Sequence, residues 1–292
     1  ITLARRLAAQ GASVALLEAG GLDIDARSQD LYSGTIVGRD YFPLDVARLR
    51  YYGGTSNHWG GWSRWLDGHD FHANPLNPQS GWPIRKADLD PYADETAAIL
   101  DLNTPPDKPL DLFGGEPSEF VPIFFRFSPP TRFGPKYRAE LEASQRIVTC
   151  LNANVIDLVL DDGGAAVREA VCRAYNRPDT FAVRARFFVV ALGGLENPRF
   201  LLNANRQRPA GLGNENDLVG RYFLEHLHAP VGPMVLREAQ PNMLIYTPSR
   251  AMRDAEGVLK VGIRLTPIFP PAPGSPEAEK IPAACADPRN HK

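Results

Sequence analysis

The sequence has few cysteines, no long apolar run and almost no net charge. Its three cysteines, Cys150, Cys172 and Cys285, are odd in number and far apart among 292 residues, so they predict neither a disulfide framework nor a metal cluster. No run approaches the ~18 apolar residues that a membrane span requires. A formal net charge of −2 provides no basic field for nucleic acid. With 43% hydrophobic and 23% charged residues, the composition is that of a globular chain with one large domain or two smaller ones.

The most unusual stretch, residues 50–65, reads RYYGGTSNHWGGWSRW. Two glycine pairs surround a Thr-Ser-Asn-His-Trp core, and three of the four tryptophans lie here. Paired glycines let a backbone adopt positive φ and approach a ligand closely. Trp and His rings suit the wall of a cavity that holds a planar ligand. The stretch therefore predicts a ligand-binding loop, and the alternative is a tight turn held by aromatic packing.

The start of the chain has the pattern of half a dinucleotide-binding unit. Apolar spacing predicts a helix over residues 1–8 that ends at Gly11, followed by a short apolar strand over residues 13–17. Glu18 lies at the tip of that strand. In a βαβ unit an acidic residue at this place binds the ribose, roughly 20 residues past the glycine fingerprint. We therefore expect Glu18 to bind ribose, with a solvated carboxylate as the alternative, and we expect the first strand and its G-x-G-x-x-G before Ile1.

A second candidate site follows the apolar run RFFVVAL at residues 186–192. A run that is apolar almost throughout predicts a buried parallel strand. Gly193-Gly194 follows it, and residues 195–199 open a helix. A strand, a glycine pair and a helix N-terminus together predict a binding site for a phosphate or for the edge of a flavin.

Four motifs in this order resemble the glucose–methanol–choline (GMC) oxidoreductase family, the FAD-dependent alcohol and sugar oxidases and dehydrogenases. The resemblance covers about residues 1–230, and the His-Trp pair makes it closest to the sugar-oxidising branch with pyranose oxidase and bacterial sugar dehydrogenases. The motifs are LEAGG at 17–21, GGTSNHWGG at 53–61, ALGGLENPR at 191–199 and VGRYF at 219–223.

The resemblance implies that these motifs hold FAD. Glu18 would bind the adenosine ribose, and Val155 would meet the adenine through its backbone. The other implied contacts are Gly53, Gly54, Thr55 and Ser56 along the pyrophosphate and flavin, Asn57, His58, Trp59 and Gly60 against the isoalloxazine ring, and Ala191, Gly193 and Asn197 around the cofactor.

His58 falls where pyranose oxidase attaches its flavin covalently. A neutral imidazole nitrogen is a competent nucleophile, so the resemblance allows a covalent link, with a hydrogen bond to the flavin or simple loop packing as alternatives. We expect a structural role for His226 and His228. In the family the catalytic His and its His or Asn partner lie near the C-terminus, so we expect them beyond Lys292 and name no catalytic base.

The resemblance also implies an α/β fold. Residues 1–228 would form a three-layer, Rossmann-like FAD-binding domain of the glutathione-reductase type, with residues 103–135 as a covering segment. Residues 229–292 would begin an α+β substrate domain built on an antiparallel sheet. Without the first strand and its fingerprint, the isolated chain is expected to be inactive, because the pyrophosphate would lack the helix N-terminus that holds it.

The implied activity is oxidation of an alcohol group (a CH–OH donor) of a sugar or polyol, by hydride transfer to flavin N5. The implied electron acceptor is oxygen, a quinone or a cytochrome, and the localisation is cytoplasmic or periplasmic. Two alternatives stay open. One is another flavin enzyme on the same fold, such as an amine oxidase or a hydroxylase, against which the Thr-Ser-Asn-His-Trp core argues. The other is a non-catalytic binding module, against which the retained Glu18 and glycine loops argue.

Overall fold

The computed structural model describes residues 1–74, 77, 79–104, 119–175, 177–226, 228–232 and 244–266. The chain divides into two compact units. Unit 1 comprises Ile1–Gly60 and Pro130–His226, and unit 2 comprises Gly61–Pro129 and Leu227–Lys292. Residues 61–129, which the resemblance places in the first domain, therefore group with the second unit.

Unit 1 opens with a helix and a strand, as the sequence predicts. Helix α1 (Thr2–Ala9) is followed by Gly11, whose φ of +92° suits glycine. Strand β1 (Val14–Leu17) pairs in parallel with β5 (Ile147–Cys150) over their whole lengths. Because a parallel pair needs a long crossover, the chain between these strands is free to carry other structure, including part of unit 2.

Helices α1 and α6 (Phe133–Ala143) pack with this parallel pair in one apolar cluster. Helix α6 has eleven residues and directly precedes β5 in the chain. Its Tyr137 and Leu141 are buried with Ala4 and Ile147. The Arg5 guanidinium also lies 3.8 Å from the centre of the Tyr137 ring, so both helices are fixed on the strands.

The second part of unit 1 is a three-stranded antiparallel meander. Its strands are β6 (Asn154–Leu160), β7 (Val167–Arg173) and β8 (Thr180–Arg184), in the order β6-β7-β8. The Asp-Asp-Gly-Gly sequence at 161–164, which is typical of a hairpin turn, connects β6 and β7, and the Asp161 carboxylate accepts the backbone N–H of Ala165 at 2.9 Å.

Helix α7 (Glu196–Asn203) packs against this meander. Phe200 of the helix is buried with Leu158 and Ala170, and Phe188 and Val190 pack on the same cluster. This cluster is the second apolar core of unit 1.

The predicted buried strand at residues 186–192 is wrong. Among the described residues this run pairs with no strand, and Phe187 and Val189 are 74% and 61% exposed. The composition favours a strand, but a strand also needs a neighbour for its backbone groups. Only Phe188 and Val190 pack inward, so the run is an extended segment laid along the meander.

Unit 2 contains two antiparallel sheets in its described part. Strand β2 (Trp62–Ser63) pairs with β4 (Arg126–Phe127). Strands β3 (Phe120–Pro122), β9 (Leu244–Pro248) and β10 (Ile263–Leu265) form the other sheet, in the order β10-β9-β3. The described chain is therefore of mixed α/β class, with one parallel pair and several antiparallel pairings.

The remaining elements are short. None of the helices in the described ranges is long and apolar enough to cross a membrane. The expected covering segment at 103–135 lies partly outside the described residues. The other elements are α2 (Ala26–Asp30), α3 (Leu44–Ala47), α4 (Lys86–Leu89), α5 (Ala93–Ile99), α8 (Arg250–Glu256) and 3₁₀ turns at Gly54–Asn57, Gly68–Phe71 and Asp90–Tyr92.

Candidate functional site

The turn after β1 lies against two other segments that the sequence analysis singled out. Gly20 packs so closely on the chain at Arg50 that a Cβ there would lie 2.1 Å from the Arg50 carbonyl oxygen. The Tyr52 N–H donates to the Gly21 carbonyl at 2.9 Å, and the Ala153 N–H donates to the Glu18 carbonyl at 2.9 Å. The strand tip, the start of the glycine loop and the start of β6 therefore meet at one place in unit 1.

Glu18 is the acidic residue at this junction. One carboxylate oxygen accepts the Gly20 N–H at 2.9 Å. Burial raises the pKa of Glu18, although the Gly20 hydrogen bond and the charge of Arg50 act in the opposite direction. A carboxylate that is desolvated without a directly bonded cation is costly to keep ionised, and such groups cluster at functional sites.

Arg50 connects this junction to a cavity. Its guanidinium donates to Asn154 Oδ1 at 2.7 Å and to Ser28 Oγ at 3.2 Å, and it also bonds the Tyr175 hydroxyl. Burial lowers the pKa of Arg50. Because side chains on three segments hold the guanidinium, its donors have a fixed orientation at the cavity wall.

The cavity has a volume of about 430 Å³ and a strongly cationic wall. That volume lies within the usual range of small-ligand sites. Of its four arginines only Arg199 contacts a carboxylate among the described residues. A guanidinium fork suits phosphate oxygens, and the apolar wall suits a base. The lining consists of Arg27, Leu31, Arg50, Asn154, Val155, Ile156, Arg173, Ala174, Tyr175, Arg199, Phe200 and Asn203.

The glycine loop that follows Arg50 is packed against the start of α6. A Cβ at Gly53 would lie 2.7 Å from the Gly134 nitrogen, so the close backbone approach here is to another part of the protein. Ser56 Oγ accepts the Phe133 N–H at 3.2 Å, and the Trp59 indole donates to the Thr131 carbonyl at 2.8 Å. The loop is thus rigidly built, and these polar groups are occupied within the protein.

The other loop residues divide into bonded and open groups. Asn57 donates to the Tyr52 carbonyl at 3.0 Å, and the Thr55 hydroxyl accepts the Leu49 N–H at 3.3 Å. A Cβ at Gly54 would meet only the Leu49 carbonyl at 3.9 Å, so Gly54 leaves room for a ligand, and Gly60 is exposed.

His58 is exposed, and both of its ring nitrogens lie near backbone carbonyl oxygens. Nδ1 is 3.1 Å from the Thr55 oxygen, and Nε2 is 3.2 Å from the Val46 oxygen. A neutral imidazole can donate from only one nitrogen, so the other retains a lone pair. This lone pair is the group that a covalent bond to a flavin would use.

The second glycine turn lies in front of α7. Gly193 has a φ of +93°, and no atom lies within 4 Å of a Cβ built on Gly193 or Gly194. Ala191 is exposed. Asn197 accepts the Leu192 N–H at 2.8 Å and donates to the Val190 carbonyl at 3.1 Å. Asn197 therefore holds the turn, and the glycines leave open space in front of it.

Behind this turn lies a buried ion cluster that no sequence pattern indicates. Glu196 is only 4% exposed and bonds Arg48 at 2.5 Å and Arg199 Nε at 2.8 Å. Burial alone would raise the pKa of Glu196, but the hydrogen bonds from Arg199 and Arg48 hold it below the usual value. The cluster joins the chain before the glycine loop to the start of α7.

In unit 2, one group has the composition of a metal site. The ligand atoms of Asp67, His69 and Asp70 lie within 4.8 Å of one another. The Lys260 ammonium already bonds both carboxylates, at 2.8 Å to Asp67 and 2.6 Å to Asp70. Because a cation of the protein lies between the carboxylates, this group is an ion-pair network.

The structure thus brings Glu18 and Arg50 to one junction and places Val155 in the wall of the adjoining cavity. Arg50, Asn154 and Tyr175 are the residues that the sequence analysis did not assign to the site. The position of Arg50 directly before the glycine loop was the one feature of the sequence that could have indicated its role. The predicted cofactor roles of the loop residues stay predictions.

No protein-family model matches the chain. A short stretch is similar to the fructose dehydrogenase large subunit of Gluconobacter japonicus, with 42% identity over 60 residues. The match covers 20% of this chain and 10% of that subunit. A part of the chain is therefore similar to a subunit of a sugar dehydrogenase.

Proposed function

We propose that this chain belongs to an FAD-dependent oxidoreductase that oxidises an alcohol group of a sugar. The observation that carries the proposal is the cationic cavity beside the Glu18 junction, with Val155 and Arg50 in its wall. The similarity to a fructose dehydrogenase subunit supports a sugar as the substrate. The broader form of the same proposal is oxidation of an alcohol group on a substrate that is not a sugar.

The residues present suit the ADP half of FAD. Glu18 offers a carboxylate for the ribose hydroxyls, and the arginines of the cavity offer donors for the pyrophosphate. Gly193 and Gly194 leave space for a ligand to approach the backbone. In this proposal Val155 meets the adenine, and the loop from Gly53 to Gly60 faces the flavin.

When bound, the flavin would take the hydride of the substrate C–H bond while a base takes the hydroxyl proton, and an electron acceptor would reoxidise it. The roles of this chain are to hold the nucleotide, to orient the ring through the rigid glycine loop, and to neutralise the phosphates.

The test of the proposal is the variant Glu18→Gln. The pKa of Glu18 is raised in the folded state, so its ionisation costs stability as the pH rises through that pKa. At neutral pH the Glu18→Gln variant should therefore be at least as stable as the wild type. We expect its free energy of unfolding to be higher by up to about 1 kcal/mol. FAD binding should weaken by about 10-fold to 100-fold, because a charge-assisted bond to the ribose is lost.

The measurement is fluorescence titration of the natural full-length protein with FAD, beside thermal unfolding at pH 5 and pH 7.5. Asp23→Asn is the matched control, since Asp23 is exposed in the same loop and loses the same charge. Unchanged FAD affinity in Glu18→Gln, or an equal loss in Asp23→Asn, would contradict the role of Glu18.

A non-catalytic binding module is the second candidate, because the polar groups of Ser56, Asn57 and Trp59 are all used inside the protein. It predicts a chain that keeps its fold and binds no FAD at any concentration.

A further inference from the structure

We propose that unit 2 carries a monosaccharide-binding site in the cavity between residues 62–67 and 122–126. The cavity has a volume of about 650 Å³, enough for a hexose. The choice of a sugar as the ligand rests on the proposed function, whereas the site itself rests on the geometry of unit 2.

Two tryptophans, Trp62 and Trp65, belong to the apolar part of the wall, which also contains Leu66, Leu100, Leu102, Pro122, Ile123 and Phe124. Trp62 is 41% exposed and Trp65 is 42% exposed, which is unusual for such large side chains. Phe125 and Phe127 meet the Trp62 ring at 64° and 76°, with centroids 5.4 and 5.2 Å away. The Trp62 ring is thus held in place while much of it stays open, as a stacking surface for the C–H face of a sugar ring requires.

Charged side chains of both signs form the polar part. Arg64 donates to both oxygens of Asp67, at 3.1 and 3.0 Å, so this pair is fixed at the cavity wall. Arg126 bonds the Asn103 carbonyl at 2.8 Å and has no carboxylate partner among the described residues. Sugar hydroxyls both donate and accept, so a wall with guanidinium donors and a carboxylate matches them.

The combination favours a sugar over other ligands of this size. A purely apolar ligand would leave Arg126 and the Arg64–Asp67 pair desolvated without new partners, which is costly. A phosphate would find cations in Arg64, Lys86 and Arg126, but it would not use the two indole rings. A sugar ring uses both parts of the wall, because its C–H face stacks on the indoles and its hydroxyls meet the charged side chains.

The test is titration of the full chain with fructose and with glucose, followed by tryptophan fluorescence and calorimetry, without added FAD. We expect saturable binding of a hexose, weakened about tenfold in Trp65→Ala and in Arg126→Gln. Trp65 is chosen because Trp62 packs on two phenylalanines and its removal endangers the fold. Trp82→Ala is the matched control, since Trp82 is 59% exposed in the same unit and does not line the cavity.

Absence of saturable hexose binding in the folded wild type would overturn the proposal. Binding that survives Trp65→Ala, or that Trp82→Ala weakens equally, would overturn it as well. If a benzoquinone analogue binds and neither hexose does, the ligand of this cavity is a quinone and the sugar proposal is wrong. Because FAD is titrated separately, hexose binding without FAD binding rejects the proposed function alone, and FAD binding without hexose binding rejects only this site.

Discussion

Replacing Gly20 by alanine is expected to lower the free energy of unfolding of unit 1 by at least about 3 kcal/mol. The added Cβ would lie 2.1 Å from the Arg50 carbonyl oxygen and 2.6 Å from the Tyr51 Cα. Both are backbone atoms, so no side-chain rotation can relieve the overlap. The chain at Arg50 must move away from the β1 turn, and the guanidinium that lines the cavity must move with it. Thermal unfolding and FAD titration should both report the change.

Gly21→Ala provides the matched control for this prediction. The nearest atoms to a Cβ at Gly21 are 3.8 and 3.9 Å away, which is ordinary contact. We expect the stability of this variant to stay within about 1 kcal/mol of the wild type. If both variants were equally stable, the close packing of the β1 turn on Arg50 would be wrong.

The second large effect is expected at the buried ion cluster. Glu196→Gln should destabilise the fold by about 3 kcal/mol at pH 7, because it leaves Arg48 without its buried counter-charge. The Arg48 side chain is only 15% exposed and the Glu196 side chain 6% exposed, so solvent cannot substitute for the lost charge. Urea unfolding of the two proteins measures the difference.

The stability difference between the wild type and Glu196→Gln should depend on pH, and the direction of this dependence can be measured. The pKa of Glu196 is lowered in the folded state, so its stabilisation is complete above the unfolded-state pKa and disappears as the pH falls through the folded-state pKa. The difference between wild type and Glu196→Gln should therefore begin to shrink as the pH falls below the ordinary Glu pKa of about 4.3, and it should disappear below the folded-state pKa of Glu196. Glu140→Gln is the surface control, since its pair with Arg5 is 53% exposed on the Glu140 side and should contribute under about 1 kcal/mol. A constant difference from pH 7 to pH 3 would contradict the ion-pair account.

The elements with a clear local pattern were predictable from the sequence. The apolar spacing that ends at Gly11 gave α1, the apolar run before Glu18 gave β1, and the Asp-Asp-Gly-Gly turn gave the β6–β7 hairpin. In each case residues a few positions apart decide the structure, so the sequence carries the information directly.

Features that depend on distant residues were not predictable. The run at 186–192 has strand composition, yet pairing depends on a neighbour that the run itself cannot specify. Arg48 and Glu196 are 148 residues apart, and Arg50 and Asn154 are 104 apart. No local pattern connects such pairs, so the ion cluster and the cavity emerged only with the fold.

The most direct test of the account is a visible absorption spectrum of the natural full-length protein, before and after acid precipitation. We predict a flavin band, and a covalent link through His58 would keep that band in the pellet of the wild type but not in that of His58→Ala. A band released to the supernatant would keep the oxidoreductase and reject the covalent link. No flavin band, even after FAD is added, would contradict the central claim that unit 1 binds FAD.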